Sequence, residues 1–147
     1  MSRDTVIIAL TISTLIYFHV KVSGIQNVYI MALVKEKIWT VLGCEFGEDA
    51  ARKAIVVCSL YGLKSFGYVF WNHLADCMHH LELLPCPADP DLWMKHMVRP
   101  EYGFNYYTYV LTYVYDVMVI HQDAEIVLRR IDRYFKLNTI FIGDRNI

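Results

Sequence analysis

Asn105 to Ile120 reads NYYTYVLTYVYDVMVI, a run rich in Tyr, Thr and Val with no glycine or proline and a single charge, Asp116. Aromatic and β-branched side chains fit a pleated surface, so this stretch predicts a β-hairpin with its turn near Tyr115-Asp116. Downstream, Asp123 is a plausible N-cap for a helix carrying Val127, Ile131, Tyr134 and Phe135 on one face, and Ile140 to Ile142 can close as an edge strand. Upstream, Phe70, Leu74, Cys77, Met78 and Leu81 recur with helical spacing, and that helix stops before Pro85. The proline-rich stretch Pro85 to Pro90 reads as a loop. Before it, Val22 to Met31 suits a central strand, Glu36 to Val41 a second extended piece ending at Gly43, and Glu45 to Asp49 a turn. Ala54 to Val57 is a short strand closed by a Tyr61-Gly62 turn. The order is helix, strands, helix, hairpin, helix, strand. It predicts an α+β fold, an antiparallel sheet with helices packed on one face.

The 147 residues are 56% hydrophobic and 20% charged, which suits one domain spanning 1–147 and excludes global disorder. A net charge of -1 gives no compositional case for nucleic-acid binding, which would rest on local patches. Cys44, Cys58, Cys77 and Cys86 contain no CxxC pair, so reduced, buried thiols are expected rather than a zinc ribbon or disulfides. Thr5 to Val20 has no Lys, Arg, Asp or Glu, yet it is shorter than the roughly 20 residues of a spanning helix and contains Thr5, Thr11, Ser13 and Thr14. A buried helix with Ile8, Ile12, Leu15 and Ile16 inward is expected, in an intracellular, cytoplasmic protein. The alternative is a small membrane-anchored or secreted binding protein using residues 5–20 as anchor or signal.

Three ordered signatures carry a family resemblance. Leu60-Tyr61-Gly62-Leu63-Lys64, followed by Phe70-Trp71-Asn72, is similar to the LYGLK motif and helix start of copia-type retrotransposon reverse transcriptases. Tyr113-Val114-Tyr115-Asp116 resembles their YVDD hairpin, and Asp123 to Phe135 the helix after it. Ser23 to Tyr29, leading into Glu36 to Trp39 and Glu45 to Gly47, resembles the strand and loop that bear the family's first catalytic aspartate. The likeness runs from about Arg3 to Asp144. It implies a polymerase palm that performs Mg²⁺-dependent nucleotidyl transfer on an RNA or DNA template-primer, without a membrane partner.

That chemistry needs converging carboxylates around two divalent ions about 4 Å apart. The resemblance places them at Gly24, Tyr115 and Asp116. Glycine supplies no ligand, and a phenol with a pKa near 10 is neutral at pH 7, so only Asp116 remains as a catalytic and metal-binding acid. The residues therefore imply an inactive palm, a pseudoenzyme with no Mg²⁺ bound. Cys44 where the family usually has proline, and Cys58 where it usually has a basic residue, point the same way. Against the family pattern the chain is also expected to be a truncated palm, without complete fingers, thumb and ribonuclease H regions.

By resemblance, Tyr61, Gly62 and Lys64 sit at the incoming-nucleotide pocket, glycine allowing close backbone approach and lysine contacting phosphate; the plainer reading is a tight turn and a solvated lysine. Arg129, Arg130 and Arg133 read as a solvated helix face more readily than as a nucleic-acid patch. His73, Asp76, Cys77 and His80 have a spacing compatible with zinc, but they border the apolar stripe, so Cys77 is expected to fill the core and the histidines to edge it. Phe104, Tyr106, Tyr107 and Tyr109 are expected to be open on a strand prone to edge pairing and self-association.

Overall fold

The computed structural model describes residues 2–26, 28, 33–58, 66–99, 101, 103–138 and 141–142, with backbone alone for 33–36, 66 and 141–142. Two compact units divide the chain. Asn27–Leu74 forms one, and Met1–Gln26 with Ala75–Ile147 forms the other.

The larger unit is built on a six-stranded antiparallel sheet. Helix α1 (Arg3–Leu15) leads into β1 (His19–Gly24), and the end of α2 (Phe66–His80) leads into β4 (Leu84–Cys86) and β5 (Asp89–Arg99). Next come β6 (Phe104–Tyr113), β7 (Asp116–His121), α3 (Ala124–Asp132) and β8 (Phe141–Ile142). The strand order is β4-β5-β6-β7-β1-β8. In the smaller unit, β2 (Leu33–Val41) pairs antiparallel with β3 (Lys53–Cys58) around a 3₁₀ turn, Cys44–Asp49. Strand β3 alternates exposed and half-buried residues, the period of a strand with one wetter face.

The hairpin forms where its composition placed it. Tyr113 pairs with Asp116 across a two-residue turn, Val114-Tyr115, and Val110, Val117, Val119 and Ile120 are wholly buried. Phe70, Leu74, Cys77 and Met78 are buried along α2, as their spacing predicts. Asp123 caps α3, its side chain accepting from the Ile126 N–H, and Ala124, Leu128 and Ile131 face inward.

Five expectations need correction. Pro85 to Pro90 is not a loop throughout but the tight end of a second hairpin, with a turn only at Pro87-Ala88, and its arm β5 is the longest strand of the sheet. Its prolines are tolerated because Pro85 lies on the edge strand, Pro87 in the turn between Cys86 and Asp89, and Pro90 ahead of the β5–β6 register, which begins at Leu92. In consequence β6 is an interior strand, paired with β5 along one side and β7 along the other, so it is not open to edge pairing. Phe104 and Tyr107 are exposed, whereas Tyr106 and Tyr109 are half-buried against a core cluster of Ala9, Phe18, Leu111 and Ile120.

The helices do not share one face. Register puts Val20, Leu92, Tyr109, Leu111, Met118 and Ile120 on one side of the sheet, where Ala9 of α1 packs among them. Lys21, which pairs with Val119, points to the other side and meets Glu125 of α3 at 2.7 Å. The buried stripe of α1 is also rotated from expectation: Ala9 and Ser13 are buried, while Ile8 and Leu15 are exposed. A helix apolar nearly all round gives periodicity little to choose between faces, and small residues allow the closer approach to a sheet. Ser13 satisfies its hydroxyl on the Leu10 carbonyl at 2.7 Å. Asp89, at the start of β5, anchors the helix N-terminus by accepting from the Thr5 hydroxyl at 2.6 Å and the Ser2 N–H at 2.9 Å.

Of the cysteines, Cys77 is buried and its thiol is pushed up to about 11 by that burial, but Cys44 is exposed and Cys58 and Cys86 are half-buried. All four are free thiols. The expectation of uniformly buried thiols fails at Cys44 because it opens a 3₁₀ turn with no buried residues.

Candidate functional site

At one end of the sheet, β1, the β6–β7 turn and the segment after α3 converge. Gly24 is the Cα partner of Asp116 in the β1–β7 ladder. Facing residues on paired strands project to the same side, so a side chain at position 24 would stand beside that of Asp116. A Cβ built on Gly24 would lie 3.3 Å from Asp116 Oδ1 and 3.0 Å from Asn138 Nδ2. The chain just past Gly24 continues the contact, with the Ile25 N–H donating to the Tyr115 carbonyl at 2.8 Å. On the other flank the Asn138 N–H donates to the Gly24 carbonyl at 2.7 Å, and Gln26 N–H to the Lys136 carbonyl at 2.7 Å.

Gly24, Tyr115 and Asp116 are thus brought together. Asn138 joins them without any signal in its own neighbourhood of sequence; the bridge of Ile25 to Leu137, its N–H bond to the Gly24 carbonyl and the Ser23 hydroxyl donating to its carbonyl at 2.9 Å hold it there. The Tyr115 and Asp116 side chains are both exposed at the rim. Val114 has φ 55° and is itself exposed. A β-branched residue in the left-handed region is strained, and a positive φ at only the first central position is the pattern of a type II′ turn, which normally takes glycine there.

Asp116 is the one carboxylate these elements deliver to the turn. Magnesium is usually held by one or two carboxylates together with substrate phosphates, and two-ion chemistry needs carboxylates that bridge. Gly24 and the Tyr115 phenol do not fit that requirement. Among the described residues, no group of three or more His, Cys, Asp and Glu side chains could hold a metal ion. On α2, Cys77 is core filling, and His80 Nδ1 lies 2.7 Å from the Asp76 carbonyl of its own helix. Tyr61, Gly62 and Lys64 lie outside the described residues. Of the three arginines, Arg129 pairs with Glu125 one turn earlier, while Arg130 and Arg133 border a polar cavity with Lys95.

No helix among the described residues is long and apolar enough to cross a membrane. No protein-family model, curated protein or solved structure matches the chain.

Proposed function

We propose that this chain is a relic of a copia-type reverse transcriptase palm that has lost nucleotidyl transfer. The observation that carries the reading is the pairing of Gly24 with Asp116 beside the Val114-Tyr115 turn. A palm needs its first-strand acid next to its hairpin acids, and the two positions singled out by sequence motifs far apart in the chain are direct ladder partners. The strained Val114 supports the same reading. It is exposed, so packing does not ask for valine, and the backbone there favours glycine. A turn shaped by stability alone would not choose it.

Loss of activity follows from the side chains: Gly24 offers no oxygen and Tyr115 no charge, so Asp116 is left as a turn aspartate. By resemblance the natural partner class is an RNA or DNA template-primer, and the corresponding location is the cytoplasm. The test is primer extension on RNA and DNA templates with Mg²⁺ or Mn²⁺. No extension is expected. Extension that Asp116→Ala abolishes would overturn the inactive-palm reading.

A further inference from the structure

Far from the turn, on the sheet face that carries α3, Lys95 of β5 pairs with Thr108 of β6, and continuing the β6–β7 register sets Thr108 beside His121. This row lines a partly open cavity of ≈ 240 Å³ together with Val127 and Arg130 of α3 and Leu83 after α2. Asp116 and His121 are opposite ends of β7, about 17 Å apart at strand rise, so the cavity is separate from the hairpin site.

Its walls divide by chemistry. Leu83, Met97 and Val127 make an apolar body, and methionine adapts readily to varied ligand shapes. The Thr108 hydroxyl, on a buried residue, has no hydrogen-bond partner among the described residues. At the rim, Lys95 is already committed to Glu82 and to the Leu81 carbonyl. Arg130 has no ion-pair partner within 4 Å among the described residues, unlike its neighbour Arg129, and it also borders the adjoining polar cavity with Arg133. Three cations therefore face one carboxylate, and the surplus positive charge sits on guanidiniums suited to planar anions.

We propose that this cavity binds a small amphipathic monoanion, with its apolar body against Leu83, Met97 and Val127 and its carboxylate on Arg130. The space equals that of about eight waters at ~30 Å³ each. It falls below the ~300 Å³ lower end of drug-sized pockets, which selects a single ring or an alkyl chain of about eight carbons.

Calorimetric titration of the full chain with octanoate, octan-1-ol and octylamine tests this. Octanoate should bind saturably, and the neutral and cationic analogues about tenfold more weakly or worse, the loss expected for one charge-assisted contact. Arg130→Gln, at an exposed helix position, should weaken octanoate about tenfold while leaving octan-1-ol unchanged. Val127→Trp should fill the space and remove binding of both; should that variant fail to fold by circular dichroism, Arg130→Gln decides alone. Absence of saturable octanoate binding, octylamine binding as tightly as octanoate, or an unaffected Arg130→Gln variant would each overturn the proposal.

Discussion

The middle and the tip of the β6–β7 hairpin obey different rules. In the middle, Val110, Leu111, Val117, Val119 and Ile120 are almost completely buried and pair in regular register. At the tip, Tyr113, Val114 and Tyr115 are exposed large side chains and Asp116 stands alone. The middle is held by packing, which any substitution disturbs at once. Little of the tip is held by packing, so residues there can change chemically while the fold persists. On the proposed reading, this difference is what lets a sheet persist after its site chemistry is lost.

Truncating the middle should produce the largest effect. Leu111→Ala removes a fully buried side chain from the cluster with Ala9, Phe18 and Ile120, and should cost about 2–5 kcal/mol in urea unfolding. Asp116→Ala, at the tip, should stay within about 0.5 kcal/mol. Equal costs would break the distinction between packed middle and permissive tip.

The next effect sharpens it at the start of β5. Asp89→Ala should cost about 1–2 kcal/mol by releasing the α1 N-terminus from β5. The Thr5 hydroxyl and the Ser2 N–H hold the Asp89 carboxyl below the usual carboxylate range. A depressed folded value means that its stabilisation is present above the unfolded pKa near ~3.9 and is lost as pH falls through the lower folded value. Stability measured from pH 5 downward should therefore fall more steeply in the parent than in Asp89→Asn. Glu82 and Glu125, lowered by their hydrogen bonds to Lys95 and to Lys21 and Arg129, act in the same direction, but they are solvated and added salt should screen them.

A smaller effect of opposite sign belongs to the tip. Val114→Gly relieves a left-handed valine and should raise stability by roughly 0.5–1 kcal/mol, less than the ~1–2 kcal/mol left-handed penalty because glycine also loosens the unfolded chain. A fall in the thermal midpoint would show that valine is not strained there. With negligible effect on stability, brief iodoacetamide treatment followed by mass spectrometry should label Cys44 and spare Cys77, whose thiol is buried and raised to about 11. Labelling of Cys77 at native pH would mean that the core opens.

The elements legible in the sequence are those with one dominant signal. The Tyr, Thr and Val run specifies β6 and β7, the spacing of Phe70, Leu74, Cys77 and Met78 specifies α2, and Asp123 marks the start of α3. Strand β5 is hidden because breakers precede it and because Lys95 and His96 interrupt its apolar pattern; tertiary pairing with β6 overrides both. The inward face of α1 is hidden because its apolar residues occur all round the helix, and the face that packs is marked by small residues instead. Of the candidate site, the family resemblance implies that Gly24 lies beside Tyr115 and Asp116, and the ladder pairs Gly24 with Asp116. Asn138 is invisible, since a short segment that joins a strand through one bridge and a few scattered hydrogen bonds leaves no periodicity.

The proposed function holds that the tip, where Gly24 pairs with Asp116, descends from a two-metal site and lacks its carboxylates. Titration of Mn²⁺, followed by electron paramagnetic resonance, into the parent chain and into Gly24→Asp/Tyr115→Asp tests it most directly. The carboxylate introduced at position 24 must displace the Asn138 amide, the movable end of a side chain, so the same double variant with Asn138→Ala serves as a relieved background. The expected result is negligible binding by the parent and saturable binding by the repaired variants, lost again on Asp116→Ala. Repaired variants that fold yet bind Mn²⁺ no better than the parent would contradict the account.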